Sequence, residues 1–128
     1  MAVARDTRLI VAQAVLPART QAALQKLVDE LPLAERYCTD GLTNYAELVW
    51  PLKSVHVISQ LKEETYTIEG VNADLRTYLK RLARRCRCFS RSLSALGEAL
   101  RLFVWHYNRR QRVINANYKY KSKLCLVF

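Results

Sequence analysis

Two acidic residues stand where chemistry could be done. Asp40 closes the apolar run of "YCTDG" (37–41) and is followed at once by Gly41. Glu69 lies in "IEGVNADLR" (68–76), with 28 residues between it and Asp40. Carboxylates are hard oxygen ligands, and Mg²⁺ typically takes one or two of them and fills its shell with water and phosphate oxygens. A pair of such ions activates a nucleophile and stabilises a leaving oxygen in phosphoryl transfer. Each acid also has a plainer reading that stays open here. Asp-Gly is a common turn pair, and an acid in the first turn of a helix is favoured by the macrodipole.

Other chemistries lack their residues. The only glycines are Gly41, Gly70 and Gly97, so there is no phosphate-cradling loop and no nucleophile elbow. There is no C-x-x-C and no H-E-x-x-H. Cys86 and Cys88 form a lone C-x-C, and the two histidines, His56 and His106, are remote from it, which argues against zinc. The start "MAVARD" meets Arg5 and Asp6 too early for a secretory signal, and "ALRLFVW" is too short for a membrane span. A cytoplasmic protein is expected, with Cys38, Cys86, Cys88 and Cys125 as reduced thiols.

The elements that must position the two acids follow from hydrophobic periodicity. "RLIVAQAV" (8–15), "AERYCT" (34–39) and "SVHVIS" (54–59) read as strands, and "MAVA" as the tail of a strand paired through the turn "ARDTR". Thr20 is a plausible N-cap for a helix carrying Ala23, Leu24, Leu27, Val28 and Leu31, stopped by Pro32. "TNYAELV" (43–49) is a short helix. Two long helices complete the chain, one from about Thr67 to Arg85 and one from about Leu93 to Arg112. Strand and helix alternating in this way predict a single α/β domain over residues 1–128, with helical crossovers. In such sheets ligands bind beyond the carboxyl ends of the strands, and Asp40 stands at one.

Charge supplies a partner. The net charge is +10, but residues 1–75 carry seven Lys and Arg against ten Asp and Glu, a net −3. Residues 76–128 carry fourteen Lys and Arg against Glu98 alone, a net +13. A field so one-sided points to a polyanion, with DNA or RNA ahead of an acidic membrane surface. The alternative is a solvated basic face. Arg76 and Lys80 flank the first long helix, and Arg84, Arg85, Arg87 and Arg91 suit phosphate contacts at its end and in the loop beyond. His56 reads as structural, Trp50 and Trp105 as core, and Tyr118 and Tyr120 lie among the tail lysines.

In order along the chain, "YCTDG...Y" (37–45), "HVIS" (56–59), "IEGVNADLR" (68–76), "RLARRCRCFSRS" (81–92) and "HYNRRQ" (106–111) resemble the catalytic domain of transposases of the insertion-sequence-one family. These are bacterial DDE transposases, and the resemblance implies an RNase H-like mixed sheet. It also implies Mg²⁺ or Mn²⁺, cleavage of DNA at element ends, and joining of the 3′-hydroxyl to target DNA. By position Asp40 resembles the second aspartate of the triad and Glu69 the glutamate. Asn72 and Arg76, one and two turns beyond Glu69, fall on family motif positions and are expected to touch the same DNA end, although Asn72 reads equally as a helix-packing amide.

The family's first aspartate sits on a central strand that opens the domain. Asp6, in a turn, is no substitute, so that strand and the DNA-binding region before it are expected to be missing. "RLIVAQAV" and "AERYCT" are then expected to lack a strand joining them, and the chain to be unstable alone or oligomeric. Three readings follow: a transposase fragment inactive alone, an enzyme completed by frameshifting or by an upstream transposase product, and a non-catalytic DNA-binding protein that represses transposition.

Overall fold

A computed structural model describes residues 1–40, 42–59, 65–82, 91–117 and 125–127. The chain runs β1 (Ala2–Ala4), β2 (Ile10–Ala12), α1 (Gln21–Asp29), β3 (Arg36–Thr39) and α2 (Thr43–Ala46). It continues with β4 (Val55–Ile58), α3 (Tyr66–Tyr78), a 3₁₀ turn (Lys80–Leu82), α4 (Leu93–Ala116) and β5 (Cys125–Val127). The expected mixed α/β character holds. Among the described residues the strands form one sheet, in the order β2-β1-β5-β3-β4.

The central strand is the correction. The sequence left the "RLIVAQAV" hairpin and "AERYCT" with no strand between them, and left the C-terminal tail unassigned. The tail fills the gap. β5 pairs antiparallel with β1, Val3 opposite Val127 and Ala4 opposite Leu126. It pairs parallel with β3, Arg36 opposite Cys125, Tyr37 opposite Leu126 and Cys38 opposite Val127. The physical cause is the requirement that buried backbone donors and acceptors be paired. β1 and β3 each turn an edge inward, and a short apolar strand satisfies both.

Period-two alternation sorts the sheet's side chains onto two faces. Val3, Ile10 and Cys38 pack with Ile68 and Val71 of α3, and Phe103, Val104 and Tyr107 of α4 close over them. Ala2, Ala4, Tyr37 and Leu126 pack on the other face with Leu31, Val11, Ala12 and Trp50. Leu24 and Val28 of α1 join Leu48 and Trp50 at the margin of that face. Thr20 caps α1 as its sequence predicts, its hydroxyl accepting from the Ala23 N–H at 3.3 Å. Cys38 is a buried thiol. Cys86 and Cys88 lie outside the described residues.

Several boundaries differ from expectation. β2 covers three residues rather than eight, because Arg8 takes a positive φ of 56° and keeps the preceding turn going to the strand's start. The first long helix ends at Tyr78, where Leu79 leaves helical geometry at ψ 84°. Beyond Leu75, its last buried residue, the helix has little to bury. Of the two long helices expected, only α4 is long, at 24 residues. Trp105, expected in the core, is 59% exposed, because the buried stripe through Leu100, Phe103 and Tyr107 runs along another side of α4.

The outer edge of β2 is covered by α4 side chains. Asn108 Oδ1 accepts from the Ile10 N–H and Asn108 Nδ2 donates to the Ile10 carbonyl, both at 2.8 Å. Asn115 Nδ2 donates to the Thr7 carbonyl at 2.8 Å. One amide therefore meets both outward polar groups of a strand residue, which pins α4 to the sheet and blunts an edge open to further pairing. Asn108→Ala is expected to lower unfolding free energy by about 1–3 kcal/mol, since two part-buried backbone groups lose partners. Urea denaturation should show a lower midpoint with unchanged slope, and Asn117→Ala, at an exposed site, should leave both alone.

Candidate functional site

β3 is buried along nearly its whole length: Tyr37, Cys38 and Thr39 have no exposed surface. Asp40 is the first residue beyond it and is exposed. Its Oδ1 accepts from the Leu42 N–H at 3.3 Å, an Asx turn that leads into α2. The turn reading and the ligand reading therefore coexist, because an exposed carboxylate can hold such a bond and still offer oxygen outward. Asp40 also acts on Tyr45 of α2, whose phenol is pushed above its ordinary 10, first by burial and then by the Asp40 charge.

The strand end beneath Asp40 is fixed by contacts to β4. Thr39 Oγ1 lies 2.8 Å from His56 Nε2, and the Ser59 N–H donates to the Thr39 carbonyl at 2.9 Å. The His56 ring stacks on Trp50 at 4.3 Å, and Trp50 lies 5.0 Å from Tyr37. Burial holds the His56 imidazole below its ordinary 6.5, so the neutral ring bonds Thr39. The structural role read for His56 is the one it plays.

Glu69 comes from the other side. It lies in the first turn of α3, exposed, with its N–H donating to the Thr65 carbonyl at 3.2 Å. Ile68, next to it, is buried in the same cluster as Cys38, two residues before Asp40. Alternation along β3 carries Asp40 toward the Cys38 face, the one covered by α3. Asp40 and Glu69 thus each adjoin a residue of one packed cluster, Cys38 and Ile68, while Arg5, which reaches the start of α3, stands by register level with the amino end of β3, away from Asp40.

Other expected site residues divide. Asn72 is half-buried and Arg76 exposed, three and seven residues beyond Glu69 and on the same side of α3. Lys80 is exposed in the 3₁₀ turn after α3. Arg91 is exposed just before Ser92, whose hydroxyl caps α4 by accepting from the Ala95 N–H. No contact groups Arg91 with the α3 residues among those described. Arg84, Arg87, Tyr118 and Tyr120 lie outside the described residues.

One element escaped the sequence. The Arg5 guanidinium sits 5.6 Å above the Tyr66 ring, and its hydrogen bond to the exposed phenol holds Tyr66 below the ordinary 10. Tyr66 is three residues before Glu69, so a cation from the β1–β2 turn reaches the end of α3 that holds the candidate carboxylate. Nothing local in the sequence signals this; 60 residues separate the partners.

Carboxylates are the donor type that a hard divalent cation takes. Two carboxylates at a strand end and a helix start suit Mg²⁺ or Mn²⁺, which draw remaining ligands from water and phosphate. Among the described residues no three or more His, Cys, Asp or Glu side chains come together as a metal cluster. A groove of about 680 Å³ between α3 and α4, lined by Tyr78, Leu79, Leu102 and Phe103, contains neither acid. It is mainly hydrophobic and is no match for the expected phosphate chemistry. No helix of the described residues is long and apolar enough to cross a membrane.

Comparison with known proteins gives one match. A family model described as IS1 transposase matches residues 1–107. No curated protein and no solved structure matches the chain.

The His56 environment has a pH consequence. The unfolded chain takes up the His56 proton near 6.5, before the folded chain does, so this histidine's contribution to stability is present above 6.5. It is lost as pH falls through 6.5 toward the lower folded value. Urea midpoints measured from pH 7.5 down to 5 should fall, and His56→Gln should flatten that dependence.

Proposed function

The chain belongs to the IS1 transposase family, and from that premise we propose that Asp40 and Glu69 hold a divalent metal for cleavage and strand transfer of DNA. The observation that carries this reading is the shared cluster beneath the two acids. Asp40 leaves the buried end of β3 and Glu69 opens α3, and their neighbours Cys38 and Ile68 are packed together. A rigid strand and a packed helix are the supports that ligand carboxylates need. Mg²⁺ or Mn²⁺, when bound, would supply Lewis-acid activation of the attacking oxygen and charge stabilisation for the leaving one.

The chain's own residues do the rest. The Thr39–His56 bond and the Asx turn at Leu42 orient Asp40. Arg76 and Lys80, exposed on and after α3, meet DNA phosphates, and Asn72 lies between Glu69 and Arg76. Arg84, Arg87 and Arg91 extend the basic surface by sequence. Phosphate contacts of this kind position a duplex without reading its sequence.

A second reading has its own observation. β5, the strand lying parallel beside β3, reads Cys-Leu-Val and brings no carboxylate to the end where Asp40 stands. Metal held by two carboxylates alone would support weak cleavage at best. The chain would then bind DNA and interfere with transposition, or gain a third carboxylate from an upstream transposase product.

The two readings part on substitution of the two acids. With element-end DNA and Mn²⁺ or Mg²⁺, Asp40→Asn and Glu69→Gln should each lower strand cleavage by about 100-fold or more, the usual cost of removing a group that stabilises developing charge. DNA affinity should stay within a factor of a few. Wild-type protein that binds DNA but never cuts it would leave the binding reading standing and remove the catalytic one. Arg76→Ala and Lys80→Ala should each weaken binding and reduce the salt slope of log K by about 1.

A further inference from the structure

We propose that Arg5, Arg8 and Arg36 form a second phosphate-binding surface, which takes the backbone of a DNA duplex at the end of the sheet away from Asp40. The proposal rests on the DNA-binding part of the reading above, and it involves neither acid and no metal. None of the three arginines belongs to the basic half of the chain, residues 76–128.

Strand register brings two of them to one place. Val3, Val127 and Cys38 stand in one row across β1, β5 and β3, on the face that α3 covers. Two residues toward the amino end of β3, the same register sets Arg5, Cys125 and Arg36 in a row. Side chains two residues apart share a face, so Arg5 and Arg36 both stand on the α3 side, two strand spacings or about 10 Å apart at the backbone. The contact of Arg5 agrees with this, because its guanidinium lies over the ring of Tyr66 at the start of α3. Arg36 is exposed. Asp40 lies at the far end of β3, about 13 Å along the strand from Arg36, so the two sets of residues meet different parts of a duplex.

Arg8 joins them from the β1–β2 turn. It is exposed, and its charge reaches Tyr66, whose phenol is held below its ordinary 10 first by the hydrogen bond from Arg5 and, at longer range, by Arg8. The Arg8 backbone is left-handed, with a φ of 56°. That conformation is costly for a residue with a long side chain, and glycine or asparagine holds it with less strain. Packing does not explain an arginine kept there with its side chain in solvent; an anion outside the chain does. Asp6 in the same turn and Glu69, one turn beyond Tyr66, offset part of the charge, but the guanidinium groups outnumber them. Guanidinium forks match phosphate oxygens, and membership of the transposase family makes DNA the polyanion.

Salt dependence tests the assignment. Dissociation constants for a fluorescein-labelled duplex of random sequence are measured by anisotropy over a range of salt, with no divalent metal. Arg8→Asn and Arg36→Gln should each weaken binding about threefold to tenfold and reduce the salt slope of log K by about 1, and the double variant should reduce it by about 2. Arg8→Lys and Arg36→Lys, which keep the charge, should keep the slope. Arg8→Asn also relieves the left-handed strain, so its urea midpoint should hold or rise while its DNA binding falls; an arginine with only a structural role would lower the midpoint and leave the slope alone. Wild-type protein that binds DNA while Arg8→Asn and Arg36→Gln both keep its slope overturns the proposal and leaves the Arg76 and Lys80 contacts of the reading above standing. Wild-type protein that binds no DNA overturns both.

Discussion

The structure depends on a strand of three residues. β5 bridges a β-hairpin at the start of the chain and a parallel strand pair from its middle, which do not bond to each other. The cluster beneath α3 spans that bridge, taking Val3 and Ile10 from one side of it and Cys38 from the other. Complete burial of a leucine such as Leu126 is worth about 1.5–3 kcal/mol. Its larger effect is to let four strands behave as one surface. Pairing Val3 and Ala4 with Val127 and Leu126 makes the sheet depend on contacts of high sequence separation, which form slowly.

From that surface the two faces acquire separate tasks. The face carrying Tyr37, Leu126 and Trp50 is largely a packing face, closed by α1 and by the loop that leads into β4. On this face Thr39, with His56 and Trp50, locks the end of β3. The opposite face carries the two acids, α3 and the basic helix α4. A rigid floor on one side and charged, exposed residues on the other is the arrangement expected where catalysis or binding is mounted on a scaffold.

Electrostatics reinforces the division. The acids at the end of β3 and the start of α3 belong to the half of the chain with net negative charge, while Arg76, Lys80 and the arginines of α4 come from the strongly basic half. Folding brings the halves together at α3, where Glu69 and Arg76 are two turns apart. Arg5 adds a cation from the N-terminal hairpin to the same helix start.

The sequence by itself determined the kinds and order of elements: the hairpin at "MAVARDTRLIV", the capped helix after Thr20, the crossover from "RYCT" to "VHVI", and the stripe Ile68, Val71 and Leu75. It also determined the charge asymmetry and the two acids, because periodicity, caps and side-chain chemistry are local and can be read within a few turns. Tertiary structure alone decided that Cys125–Val127 is the central strand, that Asn108 holds both polar groups of Ile10, that Trp105 faces outward, and that Arg5 reaches Tyr66. These outcomes share a physical reason. Each joins residues far apart in the chain, and each is fixed by unpaired backbone groups or a packed face rather than by the propensity of the residues themselves. A three-residue apolar tail has no periodicity to announce a strand; it becomes one because two buried edges require a partner.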